Sequence, residues 1–258
     1  MNKKTIILLI LIMNIFNFFS DSHRSVFPNT IINPSKKELK IGESLIYRLE
    51  LFGFPIGWIN LNVREKINFK GNSVYHLIAQ AYTNRFFKKI YDVEYNLDTY
   101  IDTQTFLPYR FRKQRKLKGK LTEIQIDFDW IERKAFIVSN GLINIVNLEE
   151  KMQDLLSSIY YFRMMDIETK NDYNLKIFYG NQSWQINIKV DSIENMEIYR
   201  QGNFEVFKIK IETDLTQIIL GTPRINVYFF NNTSRVPLVF FLRIPFGHLK
   251  GKIYNPLN

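Results

Sequence analysis

The residues whose types and spacing most clearly suggest reaction chemistry are the paired carboxylates in "TEIQIDFDW", Asp127 and Asp129. Two acidic residues separated by one position lie on the same face of a β-strand. Such a pair can hold a hard cation, or can divide acid and base roles in a hydrolase. The same spacing is also common on solvated strand faces. We expect the protein not to be an enzyme, and a hydrolase that uses these carboxylates is the alternative hypothesis.

The remaining residue types that could do chemistry are sparse. The histidines, His23, His76 and His248, show neither the spacing of a two-histidine metal site nor that of a catalytic triad. The chain has no cysteine, which excludes disulfides, thiolate catalysis and cysteine-based metal sites. We interpret the histidines as structural and predict neither a catalytic residue nor a metal or cofactor site.

A dense basic run, "RFRKQRKLKGK", holds seven Lys or Arg residues among eleven positions. The Lys118-Gly119 pair predicts a turn, so the run reads as the tip of a protruding hairpin. The tip could be a solvated device that protects a strand edge from aggregation, or an arm that binds phosphate head groups. The run lacks a known nucleic-acid-recognition motif, so nucleic acid is not predicted as a partner. The candidate anion-binding residues are Arg110, Arg112, Lys113, Arg115, Lys116, Lys118 and Lys120.

These residues need a framework, and the framework predicted is mainly β. Apolar and polar residues alternate through "YDVEYNLDTYID" and about a dozen other segments, at the 8–12-residue spacing typical of sandwiches and barrels. The fold class predicted is all-β and mainly antiparallel, as a curled sheet or an open barrel or sandwich. One amphipathic helix, at about residues 149–164, is predicted to pack on the sheet. Asn147 is its expected N-cap, and Leu156 and Ile159 belong to its apolar stripe.

The N-terminus predicts export. Lys3 and Lys4 precede a short apolar run that ends near Phe19, and Ser20 and Ser22 supply a small-x-small cleavage site. We expect a signal peptide at 1–22, a linker at 23–40 and a single β-rich domain at 41–258, with an uncleaved N-terminal membrane anchor as the alternative. The predicted location is the periplasm or cell envelope. A net charge of +10 favours anionic envelope partners and peripheral contact with a membrane.

Adjacent aromatic residues recur along the chain, in predicted strands and in the predicted helix. Neighbouring residues of a strand point to opposite faces, so each such pair predicts rings on both faces of the sheet. The rings could fill a large core, or they could line a cavity for an apolar or amphipathic ligand. The groups are Phe86-Phe87, Tyr160-Tyr161-Phe162, Tyr228-Phe229-Phe230 and Phe240-Phe241.

Several segments resemble, in order, an exported bacterial family known as domain of unknown function 3108. The segments are "IGESLIYRLELFGFPIGWINLNV", "YNLDTYIDTQTFLPYRF", "QDLLSSIYYFR" and "RVPLVFFLRIPFGHLKGKI". Three motifs match: a Gly-Glu-x-Leu-x-Tyr strand, an Asp-x-x-Thr-x-x-Pro strand end, and a helix that begins Gln-Asp-x-Leu-Ser. The resemblance implies an exported, mostly antiparallel β protein of the cell envelope, and implies no known reaction. The matching residues are Gly42, Glu43, Leu45 and Tyr47; Asp102, Thr105 and Pro108; and Gln153, Asp154, Leu156, Ser157, Tyr160, Tyr161 and Arg163.

Three function hypotheses follow. The first is a non-enzymatic envelope protein that binds a lipid-like or glycan ligand; an amphipathic anion, with chains in an apolar interior and phosphate at a basic rim, would suit it best. The second is a hydrolase of envelope polymers. The third is a structural module whose basic hairpin docks on an anionic surface. An apolar cavity favours the first, carboxylates that converge in a cleft favour the second, and a filled core favours the third.

Overall fold

The computed structural model describes residues 38–198, 201–213, 224–244 and 247–254. Within these residues it contains one antiparallel sheet of fourteen strands and two helices. The prediction of an all-β, mainly antiparallel fold with a packed helix is confirmed. The predicted signal peptide and most of the predicted linker lie outside the described residues, and Leu39 already packs in the core.

The strands follow one another along the chain as two meanders. Strands β1 to β8 pair in sequence order, β9 to β14 do the same, and β1 pairs with β14 to join the two sets. We call β1–β8 the N-terminal half and β9–β14 the C-terminal half of the sheet. The strands are β1 Ser44–Leu51, β2 Phe54–Phe69, β3 Asn72–Thr83, β4 Val93–Asp102, β5 Pro108–Leu117, β6 Lys120–Asp129, β7 Lys134–Ser139, β8 Leu142–Asn147, β9 Asp172–Tyr179, β10 Gln182–Ile198, β11 Gly202–Glu212, β12 Arg224–Phe230, β13 Pro237–Ile244 and β14 Gly247–Ile253.

The sheet curls because strand twist accumulates and because the ladder is repeatedly interrupted. Open sheets of more than about ten strands rarely stay flat. Register shifts between Leu49 and Glu50, between Val63 and Glu65, and between Val190 and Ser192 sharpen the local bend. The curl leaves β8 and β9 as the two ends of the strand order, and the sheet does not close.

The turns of an antiparallel sheet fall alternately at its two rims. Lys118 and Gly119 have φ angles of 47° and 84°, as a type I′ turn requires, and they join β5 to β6. The hairpin predicted from the sequence is confirmed. We call the rim that carries this turn the hairpin rim, and the opposite rim, where β8 ends, the helix rim.

The longer helix, α2, spans Leu155–Met164 and connects β8 to β9. The predicted start near residue 149, capped by Asn147, is wrong. Asn147 ends β8, and Gln153 instead bridges Ile177 of β9, which holds this part of the connection extended. The helix can begin only after that bridge, and Asp154 is its N-cap.

The short helix α1, Arg85–Lys88, corrects one aromatic prediction. Phe86 and Phe87 lie in this helix, not in a strand, and their rings meet edge to face at 5.6 Å. Asn84 caps the helix by accepting hydrogen bonds from both phenylalanine amides. The Asn84 cap favours a helical turn at this point of the chain, so the two rings do not point to opposite faces of a sheet.

Candidate functional site

The family-like motif residues of helix α2 converge on a buried ion pair. Arg163, with 2% of its side chain exposed, donates to both carboxylate oxygens of Glu43 at 2.7 Å. Its Nε donates to the backbone carbonyl of Ser234 at 3.1 Å. Burial alone lowers the pKa of Arg163, but the carboxylate of Glu43 outweighs this effect and raises the pKa. The paired arginine therefore stays charged and fastens the end of the helix to the start of β1.

The start of the helix is fastened by a buried carboxylate. Asp154 accepts hydrogen bonds from the amides of Leu156 and Ser157, and the Ser157 hydroxyl accepts one from the Asp154 amide. Thr99 of β4 donates to the second Asp154 oxygen at 2.6 Å. Burial raises the pKa of Asp154, and these hydrogen bonds offset part of that increase. Both ends of α2 are thus tied to the N-terminal half of the sheet.

Two tyrosines of the motifs complete this anchor. Tyr47 is buried and donates its hydroxyl hydrogen to the Pro237 carbonyl at 2.7 Å. The ring of Tyr160 lies 5.2 Å from the guanidinium of Arg163. The predicted motif residues therefore lie together and hold the helix in position. They are Gln153, Asp154, Ser157, Tyr160 and Arg163.

Beside the helix, the C-terminal half of the sheet, together with β1 and β2, surrounds a cavity of about 390 Å³. This volume falls within the roughly 300–1,000 Å³ typical of ligand sites. The cavity lies between the concave face of the sheet and one side of α2. Its lining is almost entirely aliphatic and aromatic: Tyr47, Ile59, Leu61, Leu155, Ser158, Ile159, Phe162, Leu175, Ile177, Ile186, Ile188, Ile211, Thr213, Ile225, Val227, Phe229, Pro237, Phe240 and Leu242.

The three hydroxyl groups of this lining already donate to backbone carbonyls. Ser158 donates to Leu155 at 3.0 Å, and Thr213 donates to Gln185 at 2.6 Å. Tyr47 donates to Pro237, as described above. A sugar needs many hydrogen-bond partners once it leaves water. The cavity offers none of these hydroxyl hydrogens, so its chemistry suits a hydrocarbon chain and does not suit a glycan.

The adjacent aromatic residues of β12 and β13 divide between the two faces, as predicted. Phe229 and Phe240 line the cavity. Their neighbours Tyr228 and Phe241 meet edge to face at 5.9 Å on the other side of the sheet. One ring of each pair thus lines the ligand-sized space, and the other covers the outer surface of the sheet.

The family described as "Protein of unknown function (DUF3108)" matches residues 45–254. The chain belongs to this family. It is similar to a β-barrel-like protein of the domain of unknown function DUF1849 from Brucella abortus, at 13% identity and a TM-score of 0.55, over 83% of this chain and 96% of that one. It is also similar to a protein with a YmcC-like fold from Bacteroides fragilis, at 10% identity and a TM-score of 0.32, over 86% and 98%. No curated protein matches. The first likeness shows the fold alone.

In this DUF3108 member, the basic hairpin does not form one patch. Arg110, Arg112 and Lys116 alternate with Lys113 and Arg115, so the two groups point to opposite faces of β5. Arg110 forms a bidentate pair with Asp127, at 2.5 and 2.8 Å, on the outer face. Arg112 lies 3.7 Å from Asp98 and 3.9 Å from Glu123 on the same face. Lys116, Lys118 and Lys120 are exposed near the tip.

The carboxylates considered for a hydrolase are occupied by structural contacts. Asp127 pairs with Arg110. Asp129 accepts hydrogen bonds from the amides of Ile131 and Glu132, at 3.0 and 2.8 Å, and so closes the turn after β6. Neither contact places the two groups around a cleft, and the structure offers no positive support for acid–base work by this pair.

His76 lies on the outer face of β3, stacked on Tyr100 at 4.4 Å. Its Nε2 is 3.1 Å from Asp98, and its Nδ1 is 3.4 Å from Glu65. Burial by itself lowers the pKa of His76, but the two carboxylates together raise it above its ordinary value. His248 is exposed on β14, and His23 lies outside the described residues.

The cavity-lining set is what sequence analysis did not identify. The residues come from seven strands, from Thr213 just after β11 and from α2, and only the curl of the sheet brings the strand residues together. Alternation would have placed each of them on the inner face of its own strand. The pairing of Glu43 with Arg163 was also not anticipated, although both residues belong to the recognised motifs.

Proposed function

We propose that this chain is an exported, non-enzymatic envelope protein that holds the hydrocarbon chain of a lipid-like ligand in the cavity of its curled sheet. The observation that carries the proposal is the cavity of about 390 Å³ with its aliphatic lining and internally bonded hydroxyls. Apolar space of this kind is poorly hydrated and favours an apolar occupant. Protein interiors are otherwise close-packed, so a space of this size is best explained by a ligand.

The volume sets the scale of the ligand. A water molecule takes about 30 Å³ of the liquid, and a methylene group is of similar size, so about 390 Å³ holds a chain of roughly a dozen carbons. This is one acyl chain, or part of a longer one. Export rests on the basic n-region, the apolar run and the small-x-small site at the N-terminus. No helix among the described residues is long and apolar enough to cross a membrane.

The test uses N-phenyl-1-naphthylamine, a neutral apolar probe whose fluorescence rises in a dry pocket. We expect the purified chain to bind the probe, and Val227→Phe, which fills the cavity, to lower the affinity by about tenfold or more. Val138→Phe makes the same change at an exposed position of β7 and is the matched control. Ile186→Phe places a second obstruction on β10 and protects the test against a folding defect in the first variant.

Native mass spectrometry of protein purified from its own envelope fraction adds an independent measurement. We expect a bound mass that organic extraction identifies as an acyl lipid. Wild-type protein that carries no lipid and does not bind the probe would contradict the proposal, as would Val227→Phe and Ile186→Phe proteins that fold and bind the probe as well as the wild type does.

A further inference from the structure

Two basic side chains of the hairpin face the concave side of the sheet. Lys113 Nζ lies 2.5 Å from the hydroxyl oxygen of Tyr179, and 5.7 and 4.9 Å from the ring centroids of Tyr95 and Tyr179. The guanidinium of Arg115 lies 5.9 Å from the ring of Tyr95 and hydrogen-bonds the hydroxyl of Tyr91. Among the described residues, no carboxylate forms an ion pair with Lys113. We call Tyr95, Lys113, Arg115 and Tyr179 the inner basic group.

Strand register connects this group to the cavity along a first row of inward residues. Ile59, which lines the cavity, is paired across the strands with Ala81, Ala81 with Tyr95, and Tyr95 with Arg115. Neighbouring strands are about 4.8 Å apart, so the three steps from Ile59 to Arg115 cover roughly 14 Å. Arg115 is therefore within the length of one extended lipid molecule from the cavity wall.

A second row runs parallel to the first and ends at the other cation. Leu61, also in the cavity lining, is paired with Ala79, Ala79 with Leu97, and Leu97 with Lys113. In both rows an alanine of β3 stands between the cavity and the basic residues. Ala81 is partly exposed, whereas Ala79 is buried in the core, so the first row is the more open of the two.

Strand β9 supplies an independent connection. Ile177 lines the cavity, and Tyr179 follows two residues later on the same face, toward the hairpin rim. Tyr179 contacts Lys113 directly. The inner basic group is thus adjacent to the cavity from both sides of the curl, and it lies on the side of the cavity that faces away from the helix rim.

We infer that the inner basic group binds the anionic end of the ligand whose chain occupies the cavity, so that the ligand class is an amphipathic anion with a carboxylate or phosphate head. This inference rests on the function proposed above. It divides the predicted anion-binding hairpin: Lys113 and Arg115 are assigned to the ligand, and Arg110 and Arg112 are assigned to outer-face ion pairs.

The chemistry of the group fits such a head. The arginine fork can donate two parallel hydrogen bonds to a carboxylate or phosphate, and the lysine supplies a point charge. Burial is the main cause that raises the pKa of Tyr95, which therefore keeps its hydroxyl hydrogen at neutral pH. A cation such as Lys113, placed on a partly desolvated inner surface without a carboxylate partner, gains stability when an anion binds.

The experiment compares three ligands of equal chain length: 1-dodecanol, which is neutral, dodecanoate and dodecyl phosphate. Each displaces N-phenyl-1-naphthylamine from the wild type, from Lys113→Gln/Arg115→Gln and from Arg112→Gln/Lys116→Gln. The last pair lies on the outer face of the same strand and removes the same net charge. We expect Lys113→Gln/Arg115→Gln to lower the affinity for both anions by about tenfold or more and to leave the affinity for 1-dodecanol unchanged. We expect Arg112→Gln/Lys116→Gln to leave all three affinities unchanged.

The remaining outcomes separate the two proposals. If 1-dodecanol binds and the inner pair does not weaken the anions, the head-group assignment is overturned and the proposed function stands. Equal losses in the inner and outer pairs would mean general electrostatic attraction and would also overturn the assignment. If inorganic phosphate alone displaces dodecyl phosphate and raises the melting temperature as much, the site takes a free anion and the assignment of an amphipathic anion is overturned. A wild type that binds none of the three ligands contradicts the proposed function itself.

Discussion

The concave faces of the two halves of the sheet meet the same helix in different ways. Against the N-terminal half, α2 buries Leu156 and Tyr160 in a core that includes Tyr75 and Leu77. Against the C-terminal half, the opposite side of α2 lies across a cavity, and Ile159 borders open space. Both contacts are apolar, so hydrophobicity alone does not explain why one side is filled and the other is not.

The difference follows from where the helix is tied. Asp154 is held by Thr99 of β4, and Arg163 is held by Glu43, immediately before β1. Both partners belong to the N-terminal half, whereas the C-terminal half is reached through backbone groups: Gln153 bridges Ile177 of β9, and Arg163 also donates to the carbonyl of Ser234. We expect the side-chain bonds to Thr99 and Glu43 to keep the helix from moving into the cavity. Three sets of variants test this comparison, from the largest expected effect to the smallest.

Breaking the anchor should have the largest effect. Arg163→Met leaves the Glu43 carboxylate buried without its cation, and we expect the free energy of unfolding to fall by about 3–5 kcal/mol. Urea unfolding monitored by circular dichroism measures it. The double variant Glu43→Gln/Arg163→Met removes the unpaired charge and should recover part of the loss. If the free energy of unfolding of Arg163→Met lies within about 1 kcal/mol of the wild-type value, the ion pair does not hold the helix.

Truncating each side of the helix compares the two halves directly. Leu156 is 1% exposed in the filled core, and Leu156→Ala should cost about 2–5 kcal/mol. Ile159 borders the cavity, so Ile159→Ala removes fewer contacts and should cost less than about half as much. Thermal and urea unfolding of both variants provide the comparison. Equal losses would mean that the cavity side of α2 is packed as tightly as the core side.

The smallest effect concerns pH and the outer face of the N-terminal half. Because Asp98 and Glu65 raise the pKa of His76 above its ordinary value near 6.5, the folded state binds this proton more tightly than the unfolded state does. The added stability is complete below pH 6.5 and is lost as pH rises through the folded pKa. We expect a difference below about 1 kcal/mol between pH 5.5 and pH 8, because Glu65, one of the two partners, is about half exposed and solvent screens its charge.

His76→Gln should flatten this pH dependence of the free energy of unfolding, while the affinity for N-phenyl-1-naphthylamine stays constant across the same range. The cavity lining described above contains no histidine, aspartate or glutamate. A probe affinity that followed the His76 titration would show that the outer face of one half and the cavity of the other are coupled, which the present comparison does not anticipate.

Sequence patterns predicted the strands and turns well. They gave a cavity as one of two alternatives and did not indicate which residues line it. Alternation in "YDVEYNLDTYID" placed Tyr95, Leu97 and Thr99 on one inner face, and that strand is confirmed. The Lys118-Gly119 turn is also confirmed, and both residues have the positive φ that a type I′ turn needs. Local chemistry is sufficient in both cases.

Tertiary contacts decided the rest. The helix begins later than its capping pattern predicted, because Gln153 pairs with Ile177, a residue 24 positions away. The basic run does not act as the single arm predicted, because strand alternation divides Lys113 and Arg115 from Arg112 and Lys116. The placement of Tyr179 beside Lys113 depends on the curl that brings β9 next to β5. No pattern within either strand contains that information.

The pairing of β1 with β14 also constrains the order in which the chain can fold. Each half is a meander of hairpins between consecutive strands, and such local contacts form early. Strand β1, at Ser44–Leu51, finds its second neighbour only at Gly247–Ile253. During synthesis this edge of β1 stays unpaired until almost the whole of the remaining chain has been made. We therefore expect the pairing of β1 with β14 to be the slow step, and an export route that delivers the complete chain unfolded would let both halves meet at once.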